Sequence, residues 1–255
     1  MTATHGTGSR SLRRIVHLVA LSVAASLSWQ ICFGGAVHGA RSFPDISGVW
    51  WIVSYGPHFT PLGGNPIPFT PEGKTRYEQN LLNLKRSSAA DSAHSTCVPQ
   101  GIPRVLGSPY PFQIVQSVNQ LGFIYEVNRA FRYVLMTSKH QDPAEWDPSY
   151  MGDGIGHWDN DVLVIDTTNF NAETWLDDSG LPHSDRLHTV ERLQTLQAAR
   201  ELEDTVTIND PEMFFRAWAV RLLYRRRPDV TVSTDWVCGE AHRSVAQVFG
   251  GKGYR

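Results

Sequence analysis

The stretch LHTVERLQTLQAARELEDTVTIND, residues 187–210, admits two readings, and the fold turns on which one holds. Leu187, Val190, Leu193 and Leu196 recur at helical spacing among Gln, Ala, Arg and Glu, so the local pattern is that of an amphipathic helix running to about Leu202. Read as a strand, the same residues alternate: His188, Val190 and Arg192 take one face, and Leu187, Thr189, Glu191 and Leu193 the other.

The surroundings are strand-rich. DISGVWWIVSY leads through Ile46, Gly48 and Trp50 into a first strand. Downstream, FQIVQSV, GFIYEV, FRYVLM and VLVIDTT are short β-branched and aromatic runs, with further ones at TVTI, AWAVRLLY and VTVSTDWV. HWDNDVLVID is the clearest hairpin: Asp159, Asn160 and Asp161 suit the tight turn between Trp158 and Val162. Residues 56–73, rich in Pro and Gly, read as an extended loop, TRYEQNLLNLKR (75–86) as a short helix, and 87–111 as a second long loop of the kind that lines sites. Nine or ten strands with few helices favour a closed or nearly closed antiparallel barrel, because closure removes unpaired edges.

A chain of 255 residues with 41% hydrophobic and 19% charged residues supports one large domain with a proper core. Arg10, Arg13 and Arg14 precede an uncharged run from Ile15 to Ala40, which reads as a signal peptide over 1–40 followed by a single barrel domain over 41–255; an uncleaved membrane anchor is the alternative. Without residues 1–40 the chain has 20 basic and 25 acidic residues, a net charge of −5, which argues against nucleic-acid binding. Export would place Cys97 and Cys238 in an oxidising compartment, as a disulfide or as two buried free thiols.

Taken together, PDISGVW, PYPFQIVQ, GHWDNDVLVIDTTNF, TWLDDSGLPHSDRLHTVERL, VTINDP and DWVCGEAHR resemble, in that order and over roughly residues 44–242, a family of exported bacterial proteins with no settled activity. The resemblance implies periplasmic or secreted localisation and sets VER on a strand that turns back into VTINDP, which makes 187–209 a β-hairpin. Gly48-Val49-Trp50 also resembles the entry to lipocalin-type barrels. The expected fold is therefore all-β: an antiparallel, lipocalin-like (calycin-type) barrel with long loops and one short helix.

For chemistry, the chain has no HExxH, CxxC or H-x-H, and His183 and His188 are five apart, so no metal site is expected. Neither a P-loop nor a strand-to-helix GxGxxG offers a seat for a nucleotide, Gly-x-Ser-x-Gly is absent, and no cofactor is expected. Acid–base catalysis asks for less, namely one His or carboxylate held against a substrate in a dry pocket. The candidate proton-handling residues are His183 and His188, with Asp185, Glu191 or Glu126 orienting them and Arg132 or Arg192 stabilising an oxyanion. Strand alternation sets His188 and Glu191 on opposite faces, so the two do not form a simple dyad. Charged residues in the aromatic strands, Glu126 with Arg129 or Arg132, face solvent or line a polar spot in an apolar cavity, and Trp158 and Trp175 are either cavity wall or core. The expected partner is a small hydrophobic organic molecule, handled by a cofactor-free isomerase, cyclase, lyase or hydrolase, or merely carried by a lipocalin-like binding protein.

Overall fold

The computed structural model describes residues 43–233. Nine strands form a closed barrel in sequential order: β1 (Gly48–Ile52), β2 (Phe112–Gln116), β3 (Gln120–Tyr125), β4 (Phe131–Leu135), β5 (Asp153–Asp159), β6 (Val162–Thr168), β7 (His188–Leu196), β8 (Glu201–Asn209) and β9 (Trp218–Arg226). β1 closes the barrel on β9 through Trp50↔Arg226 and Ile52↔Tyr224. The signal segment 1–40, Cys238 and residues 234–237 of the strand expected at 230–237 lie outside the described residues, and 230–233 form no strand.

Residues 187–210 are the β7–β8 hairpin, paired from His188↔Asn209 to Leu196↔Glu201. Its tip places Gln197, Ala198 and Ala199 at φ 50, 55 and 61. The helical propensity of this stretch is overridden because β6 and β8 offer ladder partners on both sides while alternation buries Thr189, Glu191 and Leu193.

One pairing departs from the all-antiparallel expectation. β4 and β5 run parallel, through Val134↔Gly154 and Leu135↔Ile155, whereas every other neighbouring pair is antiparallel. A parallel pair needs a long crossover, and residues 136–152 supply it on the outside of the barrel.

The first helix, α1 (Pro71–Arg86), begins four residues before the expected start. Thr70 caps it by accepting from the Gly73 amide at 3.0 Å, and Pro71 occupies the first turn, where its missing N–H costs nothing. Gly73 is pressed so closely on residue 213 that a Cβ would lie 2.1 Å from the Met213 carbonyl oxygen. A second, four-residue helix, α2 (Ser92–Ser95), follows.

Large side chains fill the barrel interior: Trp50, Phe112, Phe123 and Tyr224 are all buried, with Phe112 edge-on to Tyr224 at 5.0 Å. Arg226 lies over the ring of Trp50 at 4.6 Å and donates to the carbonyls of Asp45, Ser47 and Ala199, tying the chain's entry to the β7–β8 tip.

Within this apolar interior sits an ion pair. Arg132 of β4 meets Glu191 of β7 in a two-pronged contact, Nη2 to Oε1 at 2.6 Å and Nη1 to Oε2 at 2.9 Å, and Nη2 also donates to Thr167 Oγ1 of β6 at 2.7 Å. The side chains are 1% and 0% exposed. Gly154 of β5 lies beside the guanidinium, where a Cβ would stand in ordinary contact 3.6 Å from Arg132 Nη2.

Removing one partner from a buried ion pair strands the other charge, at a cost of about 3–5 kcal/mol. Glu191→Ala is therefore expected to lower stability by about that much in urea denaturation, while the double variant Arg132→Met/Glu191→Leu loses much less. Equal losses would show that the stranded charge is not the cause.

Candidate functional site

Strand alternation divides the ionisable residues of 181–193 among three places. Glu191 points into the barrel, as described. There Arg132 supplies its counter-charge, whereas Glu126 and Arg129 do not: Glu126 accepts from the Ser233 amide at 2.9 Å, and Arg129 is exposed in a turn at φ 49.

The interior pair has an acidic neighbour, Asp204 of β8, which is 1% exposed. Burial, reinforced by the negative charge of Glu191, pushes the Asp204 carboxyl well above the usual carboxylate range. Burial likewise pushes the Tyr125 and Tyr224 phenols up. Among the described residues, both Asp204 oxygens, Tyr125 Oη, Arg132 Nε and Thr189 Oγ1 have no hydrogen-bond partner, while Tyr224 Oη donates to the Leu106 carbonyl at 2.9 Å.

His188, on the opposite face of β7, belongs to a chain of side chains on the outer wall. Its Nε2 lies 2.9 Å from Asp166 Oδ1 of β6, and His140 Nε2, from the crossover, reaches the same oxygen at 3.0 Å. His140 Nδ1 in turn lies 3.0 Å from Asp153 Oδ2 of β5, which also accepts from the Gln141 amide at 2.8 Å. The result is an alternating row, Asp153–His140–Asp166–His188, that fastens the start of the crossover to three strands. Sequence reasoning did not find it, because its four members are contributed by three strands and a loop.

His183 is buried between α1 and the loop 172–183. Its Nδ1 faces the Ser184 carbonyl at 3.0 Å, which can only accept, so Nδ1 carries the proton and Nε2 accepts from the Thr174 hydroxyl at 3.1 Å. Burial lowers its pKa and keeps the ring neutral. Both side chains border a cavity of about 360 Å³, whose wall includes Trp175 and the α1 residues Arg76, Gln79 and Asn80. Asp185, next along, is exposed, and Arg192 pairs on the surface with Asp159 at 2.9 Å. Trp158 stacks on Phe43 at 5.3 Å.

A second buried cluster forms around Arg104, from the long loop preceding β2. Its guanidinium binds both oxygens of Asp91, at 2.9 and 2.5 Å, and donates from Nε to Asp178 at 2.7 Å, while Tyr55 donates to the other Asp178 oxygen. Burial opposes ionisation of Asp91, but Arg104 and His94 outweigh it and hold the carboxyl far below its usual range. Trp175 lies against this guanidinium at 5.8 Å. The cluster anchors loop to loop, with Arg104 and Asp91 buried and His94 at its exposed edge.

A larger opening than the one beside His183 lies where β4 meets β5. A cleft of about 850 Å³ is bounded by the outer residues Phe131, Tyr133 and Leu135 of β4, by Gln141, Glu145, Trp146 and Asp147 of the crossover, by Tyr150 and Met151, and by Asp153 and Gly154 of β5, with Arg132 at its floor. It lies along the short parallel contact of β4 and β5, which is two residue pairs long and has glycine at 152 and 154 on the β5 side. Gly152, at φ 68, turns the chain into β5, and a Cβ there would lie 2.6 Å from Thr168 O. Phe131, Tyr133 and Trp146 are about half exposed, so large aromatic surface faces the opening. In size and apolar character it matches sites for small organic molecules. Of the residues singled out from sequence, only Arg132 borders it.

Compared with protein-family models and with curated proteins, the chain matches none.

A carboxyl whose folded pKa is raised binds more protons folded than unfolded, so its contribution to stability is full at acid pH and falls as pH rises toward the folded pKa. Asp204→Asn removes that loss. Urea midpoints at about pH 5 and about pH 8 should show the variant gaining on the wild type as pH rises; a constant difference would contradict the assignment.

Proposed function

We propose that this β-barrel protein binds a small hydrophobic organic molecule in the cleft at the β4–β5 seam. The observation that carries the reading is the concentration of half-exposed aromatic surface, Phe131, Tyr133 and Trp146, around an opening of ligand size on a molecule whose barrel interior is already filled. Exposed aromatics of this kind are costly to leave in water and mark binding surfaces. The same reading includes export of the mature chain, a lipocalin-like role as a carrier and a Cys97–Cys238 bridge; the resemblance of its sequence motifs to an exported family supports the first.

A neutral fluorescent hydrophobe such as N-phenyl-1-naphthylamine should bind with a blue-shifted, enhanced emission. Trp146→Ala and Tyr133→Ala, both at exposed positions, should each weaken binding about tenfold, the worth of one apolar ring removed from the contact. Binding unaffected by either change would place the probe elsewhere and remove the reading.

A second reading, acid–base catalysis on the bound molecule, is favoured by Asp153, which borders the cleft and contacts His140. In it, the Asp153 carboxylate takes a proton from one atom of a substrate in the cleft and returns it to another atom of the same molecule, while His140, held by Asp166 and His188, keeps the carboxylate in place. This shifts the chemistry away from His183, Asp185 and Glu191 and leaves His188 a positioning role. Metabolite profiling of extracts incubated with the protein should then show a product that His140→Gln abolishes with hydrophobe binding intact. Identical profiles with and without protein would leave the carrier reading alone.

A further inference from the structure

The walls of the cleft also specify charge. Besides Phe131, Tyr133, Trp146 and Tyr150, it is bordered by three carboxylates, Glu145, Asp147 and Asp153. The cationic side chain among its lining residues, Arg132, has its charge taken up by both oxygens of Glu191 behind it. His140 stands beside Asp153 but is held between that carboxylate and Asp166.

Aromatic faces carry negative potential and attract cations within about 6 Å, an effect reinforced by nearby carboxylates. Phe131 and Tyr133 lie side by side on β4, with ring centres 6.5 Å apart and planes inclined by 29°, so their exposed faces form one continuous wall. Trp146 and the exposed Glu145 and Asp147 stand together on the crossover. Tyr150 donates its hydroxyl to Glu173 at 2.6 Å.

Resting on the ligand-binding reading above, we infer that the molecule held in this cleft is an organic cation: an amine or quaternary ammonium carried on an apolar or aromatic body. The ammonium group lies among the rings and carboxylates, and the apolar body covers Leu135 and Met151. An anionic ligand would face three carboxylates with the one guanidinium already neutralised, and a bare metal ion would leave most of about 850 Å³ unfilled.

The test uses the full chain and three probes of matched shape: benzyltrimethylammonium, its neutral isostere neopentylbenzene, and the anion phenylmethanesulfonate, each followed by titration calorimetry. The cation should bind about tenfold more tightly than the neutral isostere, the span expected of a cation–π site with supporting charge, with the anion weakest and the cation's advantage shrinking as salt is raised. Glu145→Gln/Asp147→Asn changes two exposed side chains and should reduce that advantage, weakening the cation by a larger factor than the neutral probe. If cation and neutral isostere bind equally, or the double variant keeps the full preference, the charge inference falls and the ligand-binding reading stands. If no probe binds in a Trp146-dependent manner, both fall.

Discussion

Everything distinctive about this barrel is arranged around the Arg132–Glu191 pair. Taking two ions out of water costs several kcal/mol each, and the mutual attraction offsets this only when the geometry is close and the remaining hydrogens are satisfied. Here both carboxylate oxygens meet the guanidinium, and Thr167 takes a further hydrogen bond, so β4, β6 and β7 are fixed in mutual register by one contact. The cost remains visible nearby: Arg132 Nε and both Asp204 oxygens have no partner among the described residues, and Asp204 resists ionisation.

The pair also sits at the seam where the cleft lies. The guanidinium points inward from β4, beside Gly154 of the neighbouring strand β5. That strand runs parallel to β4, and a parallel neighbour can be reached only by a long crossover. The crossover, fastened at its start through His140, then passes over the aromatic outer face of β4 without packing flat on it. The cleft is thus a consequence of topology: interior polarity and exterior cavity meet at one seam.

Much of the barrel was legible in the sequence. Short alternating runs, the Asp159-Asn160-Asp161 turn and the inward set Thr189, Glu191 and Leu193 all follow from period-two spacing, which survives whatever the neighbours are. The parallel pairing was not legible, because the antiparallel expectation rests on the commonness of hairpins and nothing in residues 136–152 marks a crossover. The extra turn of α1 was signalled by Thr70-Pro71, a cap and first-turn proline set within what reads as loop.

The candidate site was less legible. LPHSDRLHTVERL draws attention by its density of ionisable groups, yet alternation and the preceding loop send Glu191 inward, His188 outward and His183 under α1. The cleft is instead made of residues whose significance is spatial: two outward aromatics on β4 look like surface residues, and Glu145, Trp146 and Asp147 look like an ordinary polar loop until the crossover brings them opposite. The central claim, that this seam is the ligand site, is most directly tested by backbone hydrogen exchange with and without a saturating neutral hydrophobe. The account predicts slowed exchange in residues 131–136 and 141–154; protection confined to α1 and residues 172–183, or to the β7–β8 hairpin, would contradict it.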